Sequence, residues 1–278
     1  MAESEPRLPL DLERHIFEIA GNSHFKSIPT YTLVAWRVKI WLEPILYRVM
    51  VSGDPLPGHA SFAADRFSWA VQSQASSQHV TNLLISTCDG IPGKYIERLL
   101  TRCSSIQNLA LILLGRQASL LPSLSAMPLR RLSIELAHLF PSAGIHFTHP
   151  LFSHITHLQL RDRLVDAQWD EWRGLASMPN LTHLASLMSK SPPIFEGALD
   201  TCPRLQVLIF LYVEANPEIG LESLAPDTRF VCMPAPSYYT DWQNGARGGD
   251  DFWVRAEKFI AQRNCGEIDR ETFVLLKD

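Results

Sequence analysis

Six of the ten histidines, His138, His146, His149, His154, His157 and His183, crowd into one stretch of the chain. Imidazole is the side chain best suited to bind a transition metal or carry a proton near neutral pH. Such chemistry needs convergence, as when H-E-x-x-H sets two imidazoles four residues apart on one helical face. His154 and His157 are instead three apart, at the entry of an expected strand. His157 and His183 hold the same position in a repeat described below, so they are expected to stack as neighbours on the outward or concave surface. Repeat decoration is the favoured reading, with a metal-dependent hydrolase centred on the cluster as the alternative. Asp166 with Asp170 and Glu171 offers paired carboxylates, but a pair with no partner motif reads as a solvated face. Trp169 and Trp172 read as packing residues in a connector. Neither a G-x-S-x-G elbow nor a phosphate-cradling G-x-x-x-x-G-K-[ST] is present. No catalytic residue, metal ligand or cofactor is therefore assigned, and the chain is not expected to be an enzyme.

Composition narrows the partner class. Hydrophobic residues make up 46% of the 278 and charged residues 19%, a globular balance. A formal charge of -4 supplies no positive field for phosphate backbones or anionic membranes, so neither nucleic acid nor a membrane is an expected partner. Cys88, Cys103, Cys202, Cys232 and Cys265 are scattered and form no C-x-x-C pair, which suits reduced thiols better than a disulfide framework or a zinc knuckle. The opening MAESEPRLPLDLERH has no basic stretch leading into an apolar run, which argues against a secretory signal. The most apolar segment, Leu205 to Val213, is far shorter than the ~20 residues of a membrane-spanning helix. A cytoplasmic or nuclear location is expected.

The elements that position these residues follow from the spacing of the leucines. From residue 79 one pattern returns: an apolar residue, two mostly polar ones, an apolar residue, a spacer and an apolar residue. The copies are Val80-Leu83-Ile85, Ile106-Leu109-Leu111, Leu129-Leu132-Ile134, Ile155-Leu158-Leu160, Leu181-Leu184-Leu187 (with Ser186 at the usual last place) and Leu205-Leu208-Phe210. Their starts lie 23 to 26 residues apart, within the ~20–29 residue period of leucine-rich repeats. The last two apolar residues of a copy share one face of a strand, and the first packs the turn entering it. A weaker seventh copy covers Arg229 to Met233. The spacers Ala110, Ser133, Gln159 and Ala185 fall opposite the core leucines and are the candidate target-binding residues of a concave groove. The run PAPSYYTDWQNGARGGDD reads as an exposed loop, and Phe252 to Ala261 as a helix whose apolar face caps the open end of the solenoid.

Residues 8 to 50 differ, with apolar residues at helical spacing that imply two or three short helices. Pro9 and Asp11 start the first, Gly21-Asn22 ends it, and Thr30 is a candidate N-cap for the second. The loop SGDPLPGH closes this module, and a helix from about 61 to 72 is expected after it, burying Phe62, Phe67, Trp69 and Ala70. The resulting division is 1–51 helical module, 52–79 linker and connecting helix, 80–234 solenoid of about six to seven units, and 235–278 loop and capping helix.

Leu8-Pro9-Leu10-Asp11-Leu12 followed by Ile16-Phe17 resembles the opening of an F-box, usually written L-P-x-E-L-x-x-x-I-F. Leu33-Val34-Ala35 with Arg37, and Leu46-Tyr47-Arg48, look like later parts of the same motif, with Ala35 where cysteine is common and Trp36 and Trp41 away from the usual tryptophan offset. With its THL-containing repeats and DFWVRAEKFIAQRNCGEI ending, the chain resembles F-box-like leucine-rich-repeat proteins of mushroom-forming fungi. That resemblance implies an α/β protein: an F-box-like helical module, then an irregular leucine-rich-repeat solenoid of parallel strands with a C-terminal capping helix. It also implies a Skp-type adaptor protein and a cullin ubiquitin ligase as partners, and an unidentified protein substrate. Leu8, Pro9, Leu12, Ile16, Phe17, Leu33 and Val34 are the adaptor-facing candidates. A repeat scaffold without a ligase link is the alternative.

Overall fold

The computed structural model describes residues 8–52, 56, 77–86, 93–140, 144–164, 168–187, 191–213 and 220–276. The helix expected over 61–72, with Phe62, Phe67, Trp69 and Ala70, lies outside the described residues, as do Cys88 and Asp166.

The N-terminal helices are α1 (Leu10–Ser23), α2 (Ile28–Tyr31) and α3 (Trp36–Tyr47). Pro9 precedes α1, and Asp11 and Glu13 place negative charge in its first turn, where the helix dipole favours it. Thr30 lies inside α2 instead of capping it. Buried Ile28, Val38 and Leu42, with Phe17, Phe25, Tyr31, Trp41, Ile45 and Leu46 packed around them, form a small separate core. Glu13 and Arg37 join α1 to α3 through paired hydrogen bonds, the shortest 2.8 Å.

Among the described residues, eight strands then form one open, wholly parallel sheet in sequence order: β1 (Val49–Val51), β2 (Asn82–Ser86), β3 (Asn108–Ile112), β4 (Arg131–Ile134), β5 (His157–Leu160), β6 (His183–Leu187), β7 (Val207–Tyr212) and β8 (Phe230–Pro234). Parallel neighbours need a crossover on one side of the sheet. Here the connectors carry α4 (Gly93–Arg102), α5 (Leu121–Ser125), α6 (Trp169–Trp172) and α7 (Pro192–Thr201). This is a solenoid-like α/β fold. Its register repeats the sequence pattern: Leu83, Leu109, Leu132, Leu158, Leu184, Leu208 and Phe230 are paired in turn. All seven are buried in one continuous core with the connector residues Ile96, Leu100, Leu124, Phe152, Leu175 and Phe195. A Leu→Ala change in such a row costs about 2–5 kcal/mol.

β1 is an addition to the sequence reading. Val49, Met50 and Val51 were assigned to the helical module, yet they pair with Asn82, Leu83 and Leu84 and open the sheet. The segment follows α3 directly, and Ser52 stands where the repeat has its last apolar residue, so the periodicity does not mark it.

Connector packing is tight where two helices cross. A Cβ on Gly197 of α7 would fall 2.2 Å from the Trp169 ring. Gly197→Ala is expected to lower stability by about 1–3 kcal/mol through overpacking, read as an earlier urea midpoint with an unchanged m-value.

The C-terminal segment corrects two expectations. The run read as an exposed loop contains α8 (Tyr238–Ala246), whose Asp241 and Gln243 are buried. The last helix, α9 (Phe252–Cys265), does not cap the end of the solenoid. Its Phe252, Trp253, Ala256 and Phe259 pack on Ala185, Val207, Ile209, Leu211, Val231 and Met233, across the sheet face opposite the leucine core. Tyr238, Tyr239, Trp242 and Ala246 of α8 pack on Val49, Val51, Leu84 and Ala110 near the other end of that face. The chain thus leaves β8, returns along the sheet to β1–β4 and runs back in α9. The open edge is met by the C-terminal tail: the Cys232 N–H donates to Phe273 O at 2.7 Å and the Leu275 N–H to Cys232 O at 2.8 Å. A paired edge no longer offers a template for another strand. No described helix is long and apolar enough to cross a membrane.

Candidate functional site

Two surfaces hold the residues with functional potential. The first is the sheet face beneath α8 and α9. Alternation along each strand puts Ala110, Ser133, Gln159 and Ala185 there, as the spacing requires, but all four are buried. The open groove inferred from these spacers is therefore corrected: the chain's own helices fill it. Ala110 lies beneath α8 and Ala185 beneath α9. The Ser133 hydroxyl donates to Gln159 Oε1 at 2.7 Å and lies 2.7 Å from the Tyr238 hydroxyl. Arg161 sits over the Tyr238 ring. The sequence carried a signal for this cover, since Tyr238, Trp242 and Ala246 recur every four residues, the spacing of one helical face.

The histidines partition sharply. His157 and His183, on adjacent strands in register, stack with ring centroids 3.9 Å apart and planes 6° apart. The Trp253 ring stands perpendicular to both, its centre 5.2 Å and 5.8 Å from theirs. His183 Nε2 lies 2.8 Å from Glu257 Oε1 of α9. Burial pushes the His157 imidazole down to about 2, with the charges of His183 and Arg131 acting in the same direction. Burial also lowers His183, against the raising effect of Glu257. Arg131 on β4 is itself paired with Asp251 at 2.9 Å. Among the described residues, His157, His183 and Glu257 are the one group of three whose ligand atoms all lie within 4.8 Å of one another. His138, His146, His149 and His154 do not join it. His149 instead caps a short turn, its Nδ1 accepting from the Leu151 N–H at 3.2 Å. Sequence reading paired the two histidines but missed Glu257, because nothing local ties α9 to β6.

The other expected chemistry finds structural roles. Asp170 and Glu171 are exposed in the first turn of α6, and Trp172 is buried beside Phe147. Among the described residues, Cys103, Cys202, Cys232 and Cys265 form no disulfide. Burial raises Cys103 to about 12 and Cys202 to about 11, so neither is a nucleophile at neutral pH.

The second surface is the outside of the helical module. Leu33, Val34 and Trp36 are 84%, 63% and 71% exposed, and Leu8, Leu10, Leu12, Ile16, Ile19 and Ile40 are each about half exposed. Leu8, Leu12, Ile16 and Ile19 follow the three-to-four spacing of one helical face along and just before α1, and Trp36 and Ile40 are one turn apart on α3. Of the seven residues singled out from the motif, Leu8, Pro9, Leu12, Ile16, Leu33 and Val34 are exposed. Phe17 is the exception, turned inward with its ring edge-on to Tyr31 at 6.2 Å and 6.5 Å from Trp41. Leu10, Ile19, Trp36 and Ile40 belong to the same outer surface and were not singled out. The module is also fastened to the sheet cover, because the Arg247 guanidinium just after α8 lies 4.7 Å from the Phe25 ring centre.

These features define the class as an open, parallel-stranded, solenoid-like α/β protein with a covered inner face and an apolar helical outer surface. Compared with protein-family models the chain finds no match, and compared with curated proteins it finds none.

Proposed function

We propose that the chain is an F-box-like substrate-recognition adaptor of a Skp/cullin/F-box ubiquitin ligase, performing no chemistry itself. The observation that carries this reading is where the exposed apolar side chains fall. Nine of the thirteen large ones among the described residues lie between Leu8 and Ile40. Concentrated apolar surface on a folded domain marks an interface, since leaving it in water forgoes about 25 cal/mol for every Å² that a partner would cover. The motif resemblance falls on the same residues, and six of the seven adaptor-facing candidates point outward. The protein target is then met elsewhere than at Ala110, Ser133, Gln159 and Ala185, which α8 and α9 cover.

A second reading is favoured by a different observation. α3 runs straight into β1, and Phe25 meets Arg247, so the module also closes the first end of the sheet. A repeat scaffold without a ligase link would use it for that alone. Co-expression of the tagged full chain with a Skp-type adaptor separates the two. The adaptor reading expects a stable one-to-one complex on size exclusion, and two species eluting apart would leave the scaffold.

A further inference from the structure

We propose that His157, His183 and Glu257 form a transition-metal site of the Zn²⁺ class that fastens α9 to strands β5 and β6. The inference stands apart from the adaptor reading and does not depend on it. The ligand atoms come from three places the fold brings together: two adjacent strands in register and the second turn of α9.

The hydrogen bonds around the two imidazoles set their donor atoms. The Thr156 hydroxyl donates to Arg130 O at 3.1 Å and the Thr182 hydroxyl to Thr156 O at 3.2 Å. Each threonine oxygen also lies beside Nδ1 of the following histidine, 2.9 Å from His157 and 2.8 Å from His183. In the tautomer in which those oxygens accept from Nδ1–H, both Nε2 atoms carry lone pairs for a metal. His183 Nε2 lies 2.8 Å from Glu257 Oε1, so without an ion the two share a hydrogen bond, and a divalent metal takes the place of the shared proton. His157 Nε2 stands close enough to engage the same ion.

The donor set suits that ion. Two imidazoles and one carboxylate with an open fourth position are a known zinc combination, and the threonines are outer partners that fix tautomer and ring orientation. The Trp253 ring forms an apolar wall on one side. Glu257 is 48% exposed, which leaves a route from solvent. Arg131, whose charge acts on both imidazoles, is compensated by Asp251. Two nitrogens on one tetrahedral ion sit roughly 3.3 Å apart for bonds of ~2.0–2.1 Å. Imidazole lone pairs lie in the ring plane and the two planes are 6° from parallel, so the rings must turn substantially toward each other about their Cβ–Cγ bonds to share one ion.

The test is titration of the metal-free full chain with ZnCl₂ by calorimetry and with CoCl₂ by visible absorption, with melting followed in parallel. The expected result is one saturable equivalent, tetrahedral Co²⁺ bands and a rise in Tm that levels off at that equivalent. Glu257→Gln, at a half-exposed position that leaves the fold intact, is expected to weaken binding by more than the ~10–100-fold caused by losing an outer partner. Thr182→Val is expected to weaken it ~10–100-fold. Absence of a saturable equivalent would overturn the proposal. So would binding that is unchanged in both Glu257→Gln and His157→Gln, which would place the ion on other histidines.

Discussion

Arg263→Ala is expected to destabilise the protein by about 3–5 kcal/mol, because it removes several hydrogen bonds from a charged donor, worth about 1.5–3 kcal/mol each and less than additive. Arg263 is fully buried near the end of α9. Its guanidinium donates to Ala225 O at 2.7 Å, to Phe230 O at 2.9 Å, to Thr228 O at 3.1 Å and to Arg270 O. One side chain thereby ties the helix to β8, to the turn before it and to the tail that pairs with β8. Truncation leaves those carbonyls without this donor, and the one on buried Phe230 costs about 1–3 kcal/mol where water cannot reach it. Arg263→Lys should recover little, since an ammonium cannot span the same fork of acceptors. Urea unfolding with a two-state fit provides the reading, and a loss under about 1 kcal/mol would mean that the strap is held by its apolar contacts alone.

The second large effect is on binding. Leu33→Glu combined with Val34→Glu should weaken adaptor association by about 2–4 kcal/mol, roughly 30- to 1,000-fold in Kd. Both side chains are mostly exposed, so stability should move by no more than ~0.5 kcal/mol per site. Phe17→Ala makes the opposite contrast. Its ring packs on Tyr31 and Trp41, so its removal should lower stability by about 2 kcal/mol or more. Any loss of binding it causes would come from a loosened module. Calorimetric titration with purified adaptor, set beside melting curves, separates the two effects. Equal stability losses in both variants would place Leu33 and Val34 in the module's own packing.

How much of this was legible in the sequence depends on the distance over which the governing contacts act. Leu83, Leu109 and Leu132 repeat because each strand packs on the next, so a local pattern carries the sheet and its register. The same repeat puts His157 beside His183. Ala110, Ser133, Gln159 and Ala185 were placed on the correct face by alternation, yet their exposure was not readable. Burial there is decided by α8 and α9, and one of the contacts involved, between Ser133 and Tyr238, spans 105 positions. Glu257 escaped notice for the same reason. The inward turn of Phe17 among outward neighbours is a matter of helix phase about a three-helix core, which a motif match does not encode.

The central claim is that the outer face of α1 and the turn before α3 is a docking surface, while the inner face of the sheet is sealed by the chain itself. Amide hydrogen exchange on the full chain, with and without a purified Skp-type adaptor, addresses both halves at once. The account predicts new protection over residues 10–23 and 33–40 on adding the adaptor, with β2–β8, α8 and α9 already slow and unchanged. Protection that instead appears along the sheet face, or an N-terminal segment whose exchange the adaptor leaves untouched, would contradict it.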